Sequence, residues 1–269
     1  MSTGYLDSPW PAEDAGSQRL QRPRIGAGLG LRPGEALRAT TRRTLMSTMT
    51  VLGAPGEVYL LTHSALRAQV GLPTTACVEQ IDPVTLKPLR RSPRLRGGPM
   101  WPGGMAIHRN GDLYVVYGRY AHRLNRRCVP LADAADHHAL DVSGLAGGSN
   151  TNPPLVDVQR SIVVGYDSVN AVLQAWRFDA GLRTMTPLWR KAALACASHM
   201  ILYADTGELV VNDYRRHGEE VVVLDIATGV ERGRVRTGGL MQGVVFPSPG
   251  WGRDFYWSSM GRLARVCVA

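Results

Sequence analysis

Residues Gly207 to Gly229 run Gly-Glu-Leu-Val-Val-Asn-Asp-Tyr, then a charged tip, then Val-Val-Val-Leu-Asp-Ile-Ala-Thr-Gly. Two short runs rich in β-branched residues, divided by Arg215, Arg216, His217 and Gly218, predict two antiparallel strands. With Ser198 to Asp205 in front and Glu231 to Thr237 behind, the unit becomes four strands in about forty residues. A chain built from such a unit must repeat it, because one small sheet has no way to bury its own apolar faces.

The unit does repeat. First strands are expected at Leu45 to Leu52, Gly104 to His108, Leu155 to Val158, Met200 to Tyr203 and Gly243 to Phe246. Each is followed by a tight polar turn and a second strand, the turns starting at Gly56, Gly111, Arg160, Gly207 and Arg253 and so lying 55, 49, 47 and 46 residues apart. Asn110-Gly111 is a strong hairpin signal, since a two-residue turn there wants positive φ at both positions. Third strands end in Ile81-Asp82-Pro-Val-Thr85, Phe178-Asp179-Ala-Gly and Leu224-Asp225-Ile-Ala-Thr228-Gly229. In each, the carboxylate is expected to accept backbone N–H groups across a turn.

Four-stranded units at this spacing, with no helical segment of consequence, predict an all-β chain folded as a β-propeller of about five four-stranded blades. The fifth unit stops at Ala269, where its outer strand should begin. Glu35 to Arg43 is therefore expected to close the last blade as an N-terminal strand, since an open edge invites aggregation. The domain plan is an irregular or partly disordered arm over 1–34 and a single propeller over 35–269. Within the arm, Gly26-x-Gly28-x-Gly30 lacks the spacing and the preceding strand of a dinucleotide loop.

Composition narrows the partners. A 269-residue chain that is 44% hydrophobic can bury a large core, so no disulfide framework is needed. Cys77, Cys128, Cys196 and Cys267 are far apart and read as reduced thiols. The formal charge is +9, almost all of it arginine, since only Lys87 and Lys191 are lysine. Those arginines are scattered rather than gathered in an aromatic-studded groove, so a nucleic-acid partner is not expected. Met1 to Pro11 lacks the basic start and apolar core of a secretory signal, and no apolar run reaches the roughly 20 residues of a membrane span. A soluble, cytoplasmic protein without a membrane partner is the expectation.

Asp225 to Gly229, an Asp-x-x-Thr-Gly leaving a third strand, resembles the blades of quinoprotein-type and YVTN-type propellers. Pro102-Gly-Gly-Met-Ala-Ile-His-Arg-Asn-Gly-Asp-Leu-Tyr-Val is similar to blades of the NHL and SMP-30/gluconolactonase group. The likeness covers roughly residues 45 to 269 and rests on blade motifs, which bear on fold more than on activity.

In a propeller, the loops entering first strands and those joining second to third strands share one mouth of the central channel. The expected main function is binding a small molecule or protein partner there. Arg119, Tyr120, Tyr214, Arg215 and Gln242 are the candidate ligand-binding residues, Arg and Tyr being suited to an acidic ligand. The gluconolactonase resemblance implies an alternative, a metal-dependent lactone or ester hydrolase using a divalent cation such as calcium. Its candidate metal ligands are Asn150, Asn152, Asp167, Asn170 and Asp213, with His63 and His199 as candidate catalytic proton carriers. The family's glutamate ligand has no convincing match, because Glu57 sits in a hairpin turn. Quinone-dependent dehydrogenation, implied by the other resemblance, would need a larger ring. Asp133-x-x-Asp136-His137-His138-x-x-Asp141 is dense in metal-ligand types but falls between blades, where a solvated turn is expected.

Overall fold

The computed structural model describes residues 5–12, 16, 30–72, 74–96, 104–117, 120–131, 138–139, 155–167, 171–179, 184–192, 200–213, 219–239, 244–247, 254–259 and 261–268. Among them lie five antiparallel sheets. The first contains β1 (Met46–Leu52), β2 (Val58–His63), β3 (Thr75–Ile81) and β4 (Pro88–Arg91), with β5 (Leu95–Arg96) also pairing with β3. The second runs β6 (Gly104–Ile107), β7 (Leu113–Tyr117), β8 (Tyr120–Leu124) and β9 (His138–Ala139). The third runs β10 (Leu155–Asp157), β11 (Ile162–Asp167), β12 (Val172–Phe178) and β13 (Met185–Ala192), and the fourth β14 (Ile201–Tyr203), β15 (Glu208–Asp213), β16 (Glu220–Asp225) and β17 (Glu231–Arg236). The fifth has three strands, β18 (Val244–Pro247), β19 (Asp254–Ser259) and β20 (Arg262–Cys267). No described helix is long and apolar enough to cross a membrane.

Apart from β5, each sheet is an in-order meander, and the second, third and fourth sheets each pack their two faces on their chain neighbours. In β7, Leu113, Val115 and Tyr117 join a core with Tyr59 and Leu61 of the first sheet, while Tyr114 and Val116 join one with Val163 and Trp176 of the third. In β11, Val163 faces the second sheet, and Ile162, Val164 and Tyr166 face Leu209 and Val211 of the fourth. Val210 turns the other way, toward Phe255 and Trp257 of the fifth. The period of two thus places successive side chains in different cores. These sheets are propeller blades.

At Asp82 and Asp225 the turn chemistry is as the residues suggested, while residues 180–183 after Asp179 lie outside the described residues. Asp82 Oδ1 accepts the Val84 and Thr85 N–H groups at 3.0 and 2.6 Å and the Thr85 hydroxyl at 2.9 Å. Asp225 Oδ1 accepts Ala227 and Thr228 N–H at 2.9 Å, and Gly229 takes φ +70°. The Asn110-Gly111 hairpin differs from the two-residue turn expected. Only Gly111 has positive φ, and Gly111 N–H bonds to His108 O at 2.7 Å, which gives a longer loop relieved by one left-handed residue.

Glu35 to Arg43 does not close the fifth blade. It forms no strand, most of it is exposed, and no described strand pairs with the outer edge of β20. Its anchor lies at the opposite end of the chain's blade order: Arg42 bonds Glu79 of β3 at 2.5 Å, beside the Arg91 to Glu79 pair at 2.9 Å. Ion pairing to the outward face of the first sheet thus holds the segment where strand pairing was expected.

Residues 5–12, inside the predicted arm, run along inner strand edges. Tyr5 and Ala12 bridge to His108 and Ala106, Ile107 N–H bonds to Pro11 O, and Leu52 N–H bonds to Trp10 O, each of these last two at 2.8 Å. The Tyr5 hydroxyl donates to Val156 O in β10, so one segment ties three blades together. Ser8, Tyr5 and Ala12 are all buried.

Two expected outcomes follow from these contacts. Tyr5→Ala should destabilise by about 3 kcal/mol, by loss of a buried aromatic side chain, as read from urea unfolding. Ser161 holds φ +56° where the fourth blade has Gly207 at +71°, and the carbonyls of both accept a bond at 2.9 Å, from Phe178 and Ile226 N–H. Ser161→Gly should therefore raise stability by up to about 1 kcal/mol, while Gly207→Ser should lower it. Both should shift the urea midpoint at unchanged slope.

Candidate ligand-binding site

The second strands β2, β7, β11 and β15 end at one rim in His63, Tyr117, Asp167 and Asp213. None is more than 4% exposed. The middles of these strands are mostly Leu and Val, with Tyr59 and Tyr114, because they are covered on both faces, and charge enters toward the strand ends.

His63 and Tyr117 meet across the interface of the first two blades, ring centroids 5.5 Å apart and tilted 39°. Burial pushes the His63 imidazole below its ordinary value of 6.5, so it favours the neutral ring, and burial pushes the Tyr117 phenol up to about 12. A neutral imidazole beside a protonated phenol can exchange hydrogen bonds with a ligand and can take up a proton. Tyr120 lies opposite Tyr117 at the start of β8 and stacks on His122, whose Nε2 is 2.9 Å from Arg96 O.

Asp167 is fully buried at the end of β11 and engaged by other groups. Asp213 occupies the equivalent place in β15 but belongs to an ion-pair network. Arg234 of β17 reaches Asp213 Oδ2 at 3.4 Å, Glu220 Oε2 at 2.5 Å and Glu231 Oε2 at 3.0 Å. Glu231 contributes most to holding the guanidinium charged, with burial opposing and Glu220 and Asp213 adding to it. Asp213 is thereby committed to stabilising its own sheet. Asp167 and Asp213 point to different interblade cores, since the face carrying Val163 turns to the second blade and that carrying Leu209 and Val211 turns to the third.

Two further buried polar residues were not singled out in the sequence. Asn212 Nδ2 donates to Glu219 Oε1 at 2.6 Å across the β15–β16 hairpin, both residues being 0% exposed. The only sequence signal was a second acid before the apolar run of β16, which reads equally well as a solvated loop end. Glu57 is a turn residue, its Oε2 accepting Ala54 N–H at 3.0 Å and its Oε1 pairing with Arg126 at 2.6 Å.

Arg119, Tyr214, Arg215 and Gln242, the metal candidates Asn150, Asn152 and Asn170, and His199 lie outside the described residues. So do Asp133, Asp136, His137 and Asp141, whereas His138 belongs to β9 and pairs with Ala121. Among the described residues no three His, Cys, Asp or Glu side chains are grouped so as to hold a metal ion.

No protein-family model matches the sequence, and no curated protein is significantly similar to it. Among solved structures, the chain is similar to a protein from Lactobacillus plantarum at 13% identity and TM-score 0.48, covering 81% of this chain and 66% of that one. It is also similar to the periplasmic gluconolactonase PpgL of Pseudomonas aeruginosa at 10% identity and TM-score 0.39, covering 83% and 74%. TolB from Acinetobacter baumannii matches at 13% and 0.35, covering 79% and 52%. The chain thus spans just under two thirds of the first of these, and the fold rests on its own strand order and face alternation.

The His63 environment gives a pH dependence with a definite sign. Its folded pKa is depressed, so below the ordinary value of 6.5 the unfolded chain binds a proton that the folded chain refuses. Stability from this residue is fully present above that value and is lost as pH falls. His63→Gln should flatten the fall in melting midpoint between about pH 7.5 and about pH 5.5, compared with the unsubstituted chain in the same buffers.

Proposed function

We propose that this chain is a β-propeller binding module that takes a small polar molecule at the rim formed by the ends of its second strands. The observation that carries the reading is the run of buried ionisable side chains, His63, Tyr117, Asp167 and Asp213, each the last residue of the second strand in four successive blades. Burying such groups requires partners, as Asp213 has in Arg234, whereas an apolar residue at any of these places would pack without needing any. A ligand site is a reason to keep them, and concave ends of β structures are common places for one. Tyr120 and, outside the described residues, Arg119, Tyr214, Arg215 and Gln242 are the candidate ligand-binding side chains, and their Arg and Tyr types would favour an acidic group on the ligand.

Metal-dependent lactone or ester hydrolysis is the competing reading. It requires several oxygen or nitrogen ligands converging on one cation, and Asp213 is already engaged by Arg234. Binding is therefore the better supported of the two. We place the protein in the cytoplasm, where the free thiols of Cys77, Cys128 and Cys267 would stay reduced.

A melting-temperature screen tests this reading, using sugar phosphates, lactones and small carboxylic acids, and separately calcium, magnesium, manganese or zinc after EDTA. A ligand at one hundred times its Kd should stabilise by about 2.7 kcal/mol. The shift is expected from an organic ligand and should disappear in Tyr117→Phe and Asp167→Asn. A shift confined to a divalent cation, accompanied by lactone turnover, would replace the binding reading with the hydrolase. No shift with any compound would remove the site.

A further inference from the structure

The fifth sheet stops at three described strands where the second, third and fourth have four. Its last strand, β20, pairs with β19 along one edge from Arg262 to Cys267, and no described strand pairs with the other edge. Arg262, Leu263, Arg265 and Cys267 are exposed and Ala264 and Val266 half-buried, so alternate N–H and C=O groups of β20 stand along an open edge.

Beside that edge a groove of about 520 Å3 opens between β20 and β17, the outer strand of the fourth blade. Val221, Val223, Phe255 and Val266 line it as an apolar floor. Val235 and Gly233 pair with Val221 and Val223, and so share the face that the fourth sheet turns to the fifth. Val235 is 43% exposed, and a Cβ placed on Gly233 would meet nothing within 4 Å. β17 is thus a fourth strand laid beyond the third strand of the next sheet, with open space beneath it.

The acids beside the groove are already paired, Asp254 with Arg265 at 2.6 Å and Glu208 with Arg232 at 3.6 Å. The charge left along the edge is basic. Arg265 bonds through Nε alone, its side chain 58% exposed and both Nη groups unpaired among the described residues, and Arg262 is exposed with no ion pair among them. Cross-strand pairing puts Arg262 on the face of Ala264 and Val266, toward the groove, and Arg265 on the opposite face with Leu263.

We propose that the β20 edge receives an extended acidic segment of a partner protein as a fourth strand of the fifth blade. Such a segment completes the ladder with its backbone and sets alternate apolar side chains on the groove floor, while its carboxylates meet Arg262 on one face and Arg265 on the other. A second copy of this chain fits less well. Joining two β20 edges would bring the arginines of both together and put the neighbour's third strand under β17, in space that the neighbour's own fourth sheet must cover. A lone segment has nothing stacked behind it. This surface is independent of the rim.

The test is fluorescence anisotropy of a labelled octapeptide, valine and glutamate alternating, titrated with the whole chain. Two control peptides run in parallel: one with lysine in place of glutamate, and the acidic peptide N-methylated at every backbone nitrogen, which keeps its charge and removes its donors. Saturable binding of the acidic peptide is expected, about tenfold or more tighter than either control. Gly233→Phe, which fills the space beneath β17, and Arg262→Glu should each weaken it about tenfold or more. Both positions are exposed, and a variant that keeps its cooperative melting transition carries the test. Equal affinity for either control, unchanged affinity in the folded variants, or no saturable binding would overturn the proposal. Self-association in sedimentation that Gly233→Phe abolishes would overturn it too, by assigning the edge to a second copy.

Discussion

The structure depends on middle strands that are apolar on both faces. β7, β11 and β15 each bury alternate residues against the blade before and the blade after, so none of the three central sheets is complete without two neighbours. This two-sided burial makes the chain stack sheet on sheet in sequence order, each interface assembled from alternate residues of consecutive blades. The end sheets obey it on one side only. Leu60 and Thr62 are buried on the outward side of β2, but Glu79 of β3 is met by Arg42 and Arg91. In β20, Leu263 is 73% exposed.

That asymmetry explains where the sequence was legible and where it was not. Strand positions and the Asp turns were readable because each is a local pattern. β-branched runs fix the strands, and Asp82 and Asp225 fix turns through bonds to residues two and three places on. Residues 5–12 leave no such pattern. They bond through backbone groups to Leu52 and Ile107 and through one phenol to Val156, and backbone bonding imposes no periodicity on the side chains. Glu35 to Arg43 misled for a related reason: the need for a fourth outer strand was inferred from the end of the chain, whereas the position of that segment is set by Arg42 and Glu79, far apart in sequence.

At the rim, residue types were legible but their pairings were not. Asp167 and Asp213 are equivalent by position, as the repeat implies, yet equivalence in a stack of sheets puts them in different interfaces rather than together. Asp213 also has Arg234, which lies two strands away and in a stretch that reads simply as a charged outer strand. His63 and Tyr117 show the converse. They are not at matching positions, because His63 shares the forward face of its strand with Tyr59 and Leu61 and Tyr117 shares the backward face with Leu113 and Val115. Opposed faces are what bring them into contact.

The same rule accounts for polar sites at both ends of the blades. A side chain in the middle of β7, β11 or β15 is enclosed by two sheets, and any ionisable group there would need a partner from a neighbouring blade. Toward a strand end, the partner can come from a hairpin or an outer strand, as with Asn212 and Glu219 or Asp254 and Arg265. Ionisable groups therefore gather at strand ends, the rim collecting the last residues of second strands and the opposite end collecting the residues around first-to-second turns. Tyr203, Glu208 and Asp254 stand at that second end because β14 finishes and β15 and β19 begin there. The two acids there, in a basic chain, thus follow from which side chains the turns happen to carry, and the stacking of the sheets places no restriction on their charge.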